Sequence, residues 1–174
     1  MGRLIQTFSL FLLTGLLFSA CTSIPVQLEG EYSSLTAEQA SEKDLQTPVR
    51  WGGVVLETRP EADHTCFEIL SRQLQKSMLP LYSDQDDGRF IACKPGFYDP
   101  EVFKKGREVT LTGKIIYMDV RKVGEYDYHF PVVDIEFMSL WPDRSNLPHY
   151  YYYRQFRPYY WHYPHRGFYY RYPY

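Results

Sequence analysis

Between residues 49 and 140, apolar and polar side chains alternate with a period near two, the spacing at which successive side chains leave a strand on opposite faces. Five segments carry the pattern. Residues 49–57 (VRWGGVVLE) are the first, with Gly52 and Gly53 at a point where a strand glycine marks a bulge or sharp bend. Residues 66–74 (CFEILSRQL) and 89–94 (RFIACK) follow, separated by a polar SDQDDG that reads as a hairpin loop. Residues 108–119 set Val109, Leu111, Ile115 and Tyr117 against Thr110, Thr112 and Lys114. Residues 132–140 set Val133, Ile135 and Phe137 against Asp134 and Glu136, a half-buried strand.

Two stretches break the alternation. Residues 36–46 (TAEQASEKDLQ) are good helix formers, with Thr36 as a cap, Glu38 and Glu42 near the front and Pro48 past the end. The apolar face is thin, so this helix would be peripheral. Further on, Asp99 can cap a helical turn or two with Pro100 at the first position and Gly106 closing it. The order strand, strand, strand, short helix, strand, strand predicts a mainly β fold, a small five-stranded OB-like Greek-key barrel with one short helix before strand four. A small open sandwich of the same strands is the alternative. Closure removes unpaired edges, which otherwise template pairing with other chains.

The start of the chain differs in kind. Arg3 precedes an apolar run over residues 4–18 that Gln6, Thr7, Ser9 and Thr14 interrupt. That is short of the about 20 apolar residues needed to cross a bilayer. A basic start, an apolar middle and the small pair Ser19-Ala20 describe a signal peptide over residues 1–20. Phe18-Ser19-Ala20-Cys21 resembles the bacterial lipobox, with Phe where Leu is usual. The resemblance implies cleavage after Ala20 and acylation of Cys21, while Thr22, not being aspartate, implies export to the outer membrane. One acyl chain binds marginally and two or more bind stably, so a lipidated Cys21 would tether a soluble domain without a protein span. Residues 21–47 then read as a lipid-attached tether and peripheral helix, 48–142 as the barrel domain and 143–174 as a tail.

Charge separates the same regions. Residues 22–147 hold 14 Lys and Arg against all 21 acidic residues, a net of −7, whereas the end carries Arg154, Arg157, Arg166 and Arg171 and no acid. An acidic body argues against a nucleic-acid partner, which needs a basic footprint. Cys66 and Cys93 are the two thiols left after the leader and Cys21. In an oxidising periplasm they can form a disulfide; otherwise they are two small buried apolar side chains.

Four segments together resemble the Slp family of outer-membrane lipoproteins, named for a starvation-inducible lipoprotein of enteric bacteria. They are FSACTSIP, VRWGGVVLE, GRFIACKPGFYDPEVFKKGREVTLTGKI and PVVDIEFMSLWP, spread over most of residues 21–142. The resemblance implies an outer-membrane location and an envelope or stress-related role; the anchored domain is expected at the periplasmic face, although the sequence leaves the face open. It supplies no catalytic residue, and Cys66 and Cys93 lie outside its pattern. Members often end in an aromatic tail.

Here the tail, residues 148–174, holds 11 of the 17 tyrosines, and its four prolines forbid a continuous helix. Three readings stand: an interfacial belt whose Arg154, Arg157, Trp161, Arg166 and Arg171 meet headgroup or lipopolysaccharide phosphates, an arm that binds glycan (peptidoglycan included) or protein, and a disordered biased segment. His149, His162 and His165 lack a carboxylate or thiol nearby to complete a metal site, so no metal or cofactor is expected. His64-Thr65-Cys66 places a base and a thiol on one strand face, with no orienting partner evident. Glu57, Glu68, Asp134 and Glu136 read as solvated strand positions, and Trp51 and Trp141 as core or rim aromatics. The expectation is a non-enzymatic, lipid-anchored envelope protein that displays a barrel and an aromatic basic tail. A small-ligand or oligosaccharide binder on the open barrel face is the alternative. The pattern leaves the oligomeric state open.

Overall fold

A computed structural model of the chain describes residues 24–144. Five strands close into a barrel in the order β1-β2-β3-β5-β4. They are β1 (Pro48–Pro60), β2 (His64–Ser71), β3 (Arg89–Pro95), β4 (Glu108–Val123) and β5 (Tyr126–Leu140). The β3–β5 pair is parallel, and the other neighbours are antiparallel. This is the OB-type Greek key that the strand order implied.

The alternation explains the interior. Val49, Trp51, Val55, Phe67, Ile69, Phe90, Leu111, Ile115, Val133 and Ile135 all face one core and are nearly inaccessible. Burial of each such side chain contributes about 1.5–3 kcal/mol. Tyr98 and Phe103 close one side of it, each with its ring against Phe67 at 5.8 and 5.2 Å.

β1 serves two ladders. Its first half, from Pro48 to Val54, pairs with β4, and from Gly53 to Pro60 it pairs with β2. The glycines sit at this changeover and do not form the bulge, which lies between Val55 and Glu57. A β-carbon on Gly53 would stand 1.9 Å from the Leu70 carbonyl oxygen, so only glycine lets the strands approach.

Both expected helices are shorter than the sequence suggested. Residues 36–46 contain a turn and then a 3-10 turn over Glu42–Asp44, closed by a capping box between Ser41 and Asp44. The backbone bonds elsewhere: Glu38 N–H donates to Asp87 O (2.8 Å), and Gln46 N–H, at φ 66°, donates to Ile115 O (2.7 Å). With so thin an apolar face, contacts to the barrel outweigh helix propagation. Before β4, Asp99 O accepts from Val102 and Phe103 N–H, both 3.0 Å, and a single turn results in place of a helix. The described part of the expected tether is also docked, with Leu28 fully buried and its carbonyl accepting from Arg50 (2.9 Å).

The outer surface is not all solvated. A second apolar cluster of Cys66, Ile91, Phe130 and Val132 lies on the side of β2 and β3 opposite Phe67 and Ile69. Strands β4 and β5 run past the barrel as a two-stranded arm that turns at Gly124 and Glu125. An extra residue between Ile115 and Tyr117 shifts the register there, so Tyr117 is exposed and does not continue the core face. The Tyr128 hydroxyl on the arm accepts from Arg89 N–H at 2.9 Å, which holds the arm over β3.

Candidate functional site

Two places on the barrel gather polar chemistry. The first is a cleft of about 400 Å³ between the segment 33–36, the start of β1 and both ends of the β2–β3 connection. Ser33, Ser34, Leu35, Thr36, Arg50, Trp51, Ser71, Arg72, Gln73, Leu74 and Asp87 line it. Its floor is fixed by Trp51, whose indole N–H donates to Leu35 O (2.7 Å). The neck of the loop is pinned by Arg72 N–H on Gly52 O (2.9 Å) and Asp87 N–H on Ser71 O (3.0 Å).

Two guanidiniums face this cleft. Arg50 stacks over the Tyr32 ring at 4.9 Å and donates to Gly30 O (3.2 Å) as well as Leu28 O. Arg72 lies 5.9 Å from the Tyr82 ring, and its Nε is buried without a hydrogen-bond partner. Burial raises the Asp87 pKa above the usual carboxylate value, and the charges of Asp86 and Glu38 add to the rise. Hydroxyls, two fixed cations and one reluctant carboxylate can bind a polar, acid-bearing ligand.

The second place is the outer end of β2 and β3. Cys66 and Cys93 are register partners with Cα atoms 4.1 Å apart, and their sulfurs are joined at 2.04 Å. A disulfide sulfur has no free thiolate, so the thiol-nucleophile reading of His64 and Cys66 does not hold for this state. The orienting partner not evident in the sequence is the adjacent residue. His64 Nδ1 donates to Asp63 Oδ1 (2.6 Å), and Glu61 Oε2 lies 3.4 Å from Nε2. The Asp63 hydrogen bond raises the His64 pKa above its ordinary value, with the charges of Glu61 and Asp63 adding to it against desolvation. The same bond lowers that of Asp63.

Among the acidic positions read as solvated, Glu57, Asp134 and Glu136 are exposed. Glu68 is not: it is half-buried on the outer face and paired with Arg89 at 3.0 Å. Trp51 is a core residue, and Trp141 is half-buried with its indole N–H on Thr110 Oγ1 (2.9 Å). Ala20, Cys21, His149, Arg154, Arg157, Trp161, His162, His165, Arg166 and Arg171 lie outside the described residues. Sequence reading missed Arg50, Arg72 and Asp87, which stand far apart in the chain with no shared motif. The pairing of His64 with Asp63 was legible only as adjacency.

A family model described as the outer membrane lipoprotein Slp family matches residues 18–166. The chain belongs to this family. Two relatives are also similar to it. An uncharacterized protein of Haemophilus influenzae is 34% identical over 128 residues, covering 71% of this chain and 69% of the relative. The uncharacterized lipoprotein YeaY of Escherichia coli K12 is 29% identical over 147 residues, covering 80% of this chain and 72% of that protein. Among the described residues, no helix is long and apolar enough to cross a membrane.

Proposed function

We propose that this Slp-family protein is a non-catalytic component of the envelope, with a structural or stress-related role, held by lipid on Cys21 at the periplasmic face of the outer membrane. The barrel is a rigid platform, and the tail meets lipopolysaccharide or peptidoglycan. The observation that carries this reading is the segregation of the chain: four arginines and 11 tyrosines without an acid in residues 148–174, beside a body of net charge −7. Arginine pairs with phosphate and carboxylate, and tyrosine offers an amphipathic ring to headgroups or sugars. Cys21→Ser is expected to abolish fatty-acid labelling and move the protein from the membrane fraction to the soluble one. Deleting residues 148–174 is expected to leave labelling intact and to reduce co-sedimentation with lipopolysaccharide or peptidoglycan. Unchanged co-sedimentation rejects the role given to the tail.

The cleft favours a second reading, a module that binds a small acidic saccharide. Its hydroxyls and its two guanidiniums, Arg50 and Arg72, are groups that recognise such a ligand. Calorimetric titration with N-acetylmuramic acid should give heat that Arg72→Ala removes. Absent heat with the wild-type chain, or equal affinity in the variant, rejects it.

A further inference from the structure

We propose that reduction of the Cys66–Cys93 bond opens a metal site of the zinc class, built from both thiolates and His64. The two sulfurs and a His64 ring nitrogen already lie within 4.8 Å of one another. Two thiolates and one imidazole are three of zinc's usual four donors, and a water can take the fourth position. Glu61, with Oε2 3.4 Å from His64 Nε2, stands beside the imidazole.

The surroundings suit ligation. Asp63 accepts from Nδ1 and so leaves the Nε2 lone pair to the metal, the carboxylate–histidine arrangement common behind metal-bound imidazoles. The turn bearing both acids is held by Glu61 N–H on His64 O (2.7 Å) and Gly96 N–H on Asp63 O (2.9 Å). Cys66 is packed from the other side by Ile91, Phe130 and Val132, so entry is from the half-exposed His64.

The oxidised form excludes the ion for a chemical reason. Sulfurs bonded to each other carry no thiolate charge, and it is the thiolate that ligates zinc. Opening requires two electrons. A dithiol donor gives them by thiol–disulfide exchange: its two S–H bonds and the protein's S–S bond become the donor's S–S bond and two protein S–H groups. Metal binding then releases both thiol protons to solvent.

The test is cobalt titration of the full mature chain after reduction with dithiothreitol and anaerobic desalting. The expected result is a single equivalent bound with thiolate-to-cobalt absorption and the visible bands of a tetrahedral site, bleached by zinc and lacking in the oxidised protein. His64→Ala should remove the tetrahedral bands, and Asp63→Asn should weaken binding about 10–100-fold. Binding no tighter than that of Cys66→Ser/Cys93→Ser, or unchanged in His64→Ala, overturns the proposal. If the reduced chain loses its native circular dichroism, zinc should restore it in the wild type but not in His64→Ala. Failure to restore it also overturns the proposal.

Discussion

The changeover in β1 makes the most demanding prediction. Gly53→Ala adds one methyl group where the Leu70 carbonyl oxygen would be 1.9 Å away and the Ser71 α-carbon 3.0 Å away. Ordinary contact begins near 3.4 Å, so β1 and β2 must separate by about 1.5 Å at that point. Neither strand can yield freely, because Gly53 is paired to Ser71 of β2 on one side and to Val109 of β4 on the other. The Arg72 N–H bond to Gly52 O, 2.9 Å, lies in the path of any shift. Overpacking of this kind costs about 1–3 kcal/mol, and each bond lost adds about 1 kcal/mol. The sum is about 2–5 kcal/mol, which lowers the melting temperature by roughly 10 °C in a domain of this size.

Urea unfolding of the mature Cys21→Ser chain, followed by tryptophan emission, reads this directly because Trp51 is only 5% exposed. Gly124→Ala is the control. Its new methyl group meets nothing within 4 Å, so the only penalty is the left-handed backbone at φ 63°, about 1–2 kcal/mol. A Gly53→Ala midpoint within about 0.5 kcal/mol of wild type, or one less affected than the control, would falsify the claim that β1 is clasped between two ladders there.

Cys66→Ala/Cys93→Ala frees a connection of sequence separation 27 and should lower stability by about 3–4 kcal/mol in the same assay, with no larger effect on adding reductant. Thr110→Val should cost about 2–4 kcal/mol, since the hydroxyl donates to Met78 O (2.6 Å) and accepts from Trp141, and both partners would be left bare. Asp87→Asn should stabilise the protein at pH 7 and have no effect well below the ordinary carboxylate pKa. The folded-state pKa is raised, so the native state holds the proton over a window in which the unfolded chain has released it, and stability falls as pH rises through that window. Urea midpoints at pH 3 and pH 7 test the sign, and a midpoint lower than wild type at pH 7 refutes it.

The strand set was readable because a closed barrel has one inside, and side chains at period two must choose it. Val49, Trp51, Leu111 and Val133 follow that rule directly. What escaped was everything decided by a second layer. The residues of 36–46 have helical propensity, yet Glu38 and Gln46 bond to other elements, and nothing local in TAEQASEKDLQ reports those acceptors. Strand ends were missed in the same way. β5 begins at Tyr126, not 132, because the arm is held by pairing with β4 and by Tyr128 on Arg89, although Asp127 and His129 weaken its apolar pattern. The cleft was illegible, since Arg50 and Arg72 line one space only after the β2–β3 connection folds back beside β1.

Period two divides a strand into two faces but does not say which faces meet water. In a five-stranded barrel the interior is small, and burying more apolar surface requires covering the outside. The arm and the β2–β3 loop do this unevenly: Thr110 and Thr112 are buried on the outer face of β4, while Asp134 and Glu136 on β5 remain exposed. Cys66 and Glu68 sit on the covered side, which is why a cysteine that alternates with core residues is itself buried, and a glutamate beside it is paired. The same covering leaves His64 at the open margin of the cluster, where a charged network from the turn meets the sulfurs. Chemistry on this barrel therefore concentrates where outer cover ends, at the edge of the arm and at the mouth of the folded-back loop.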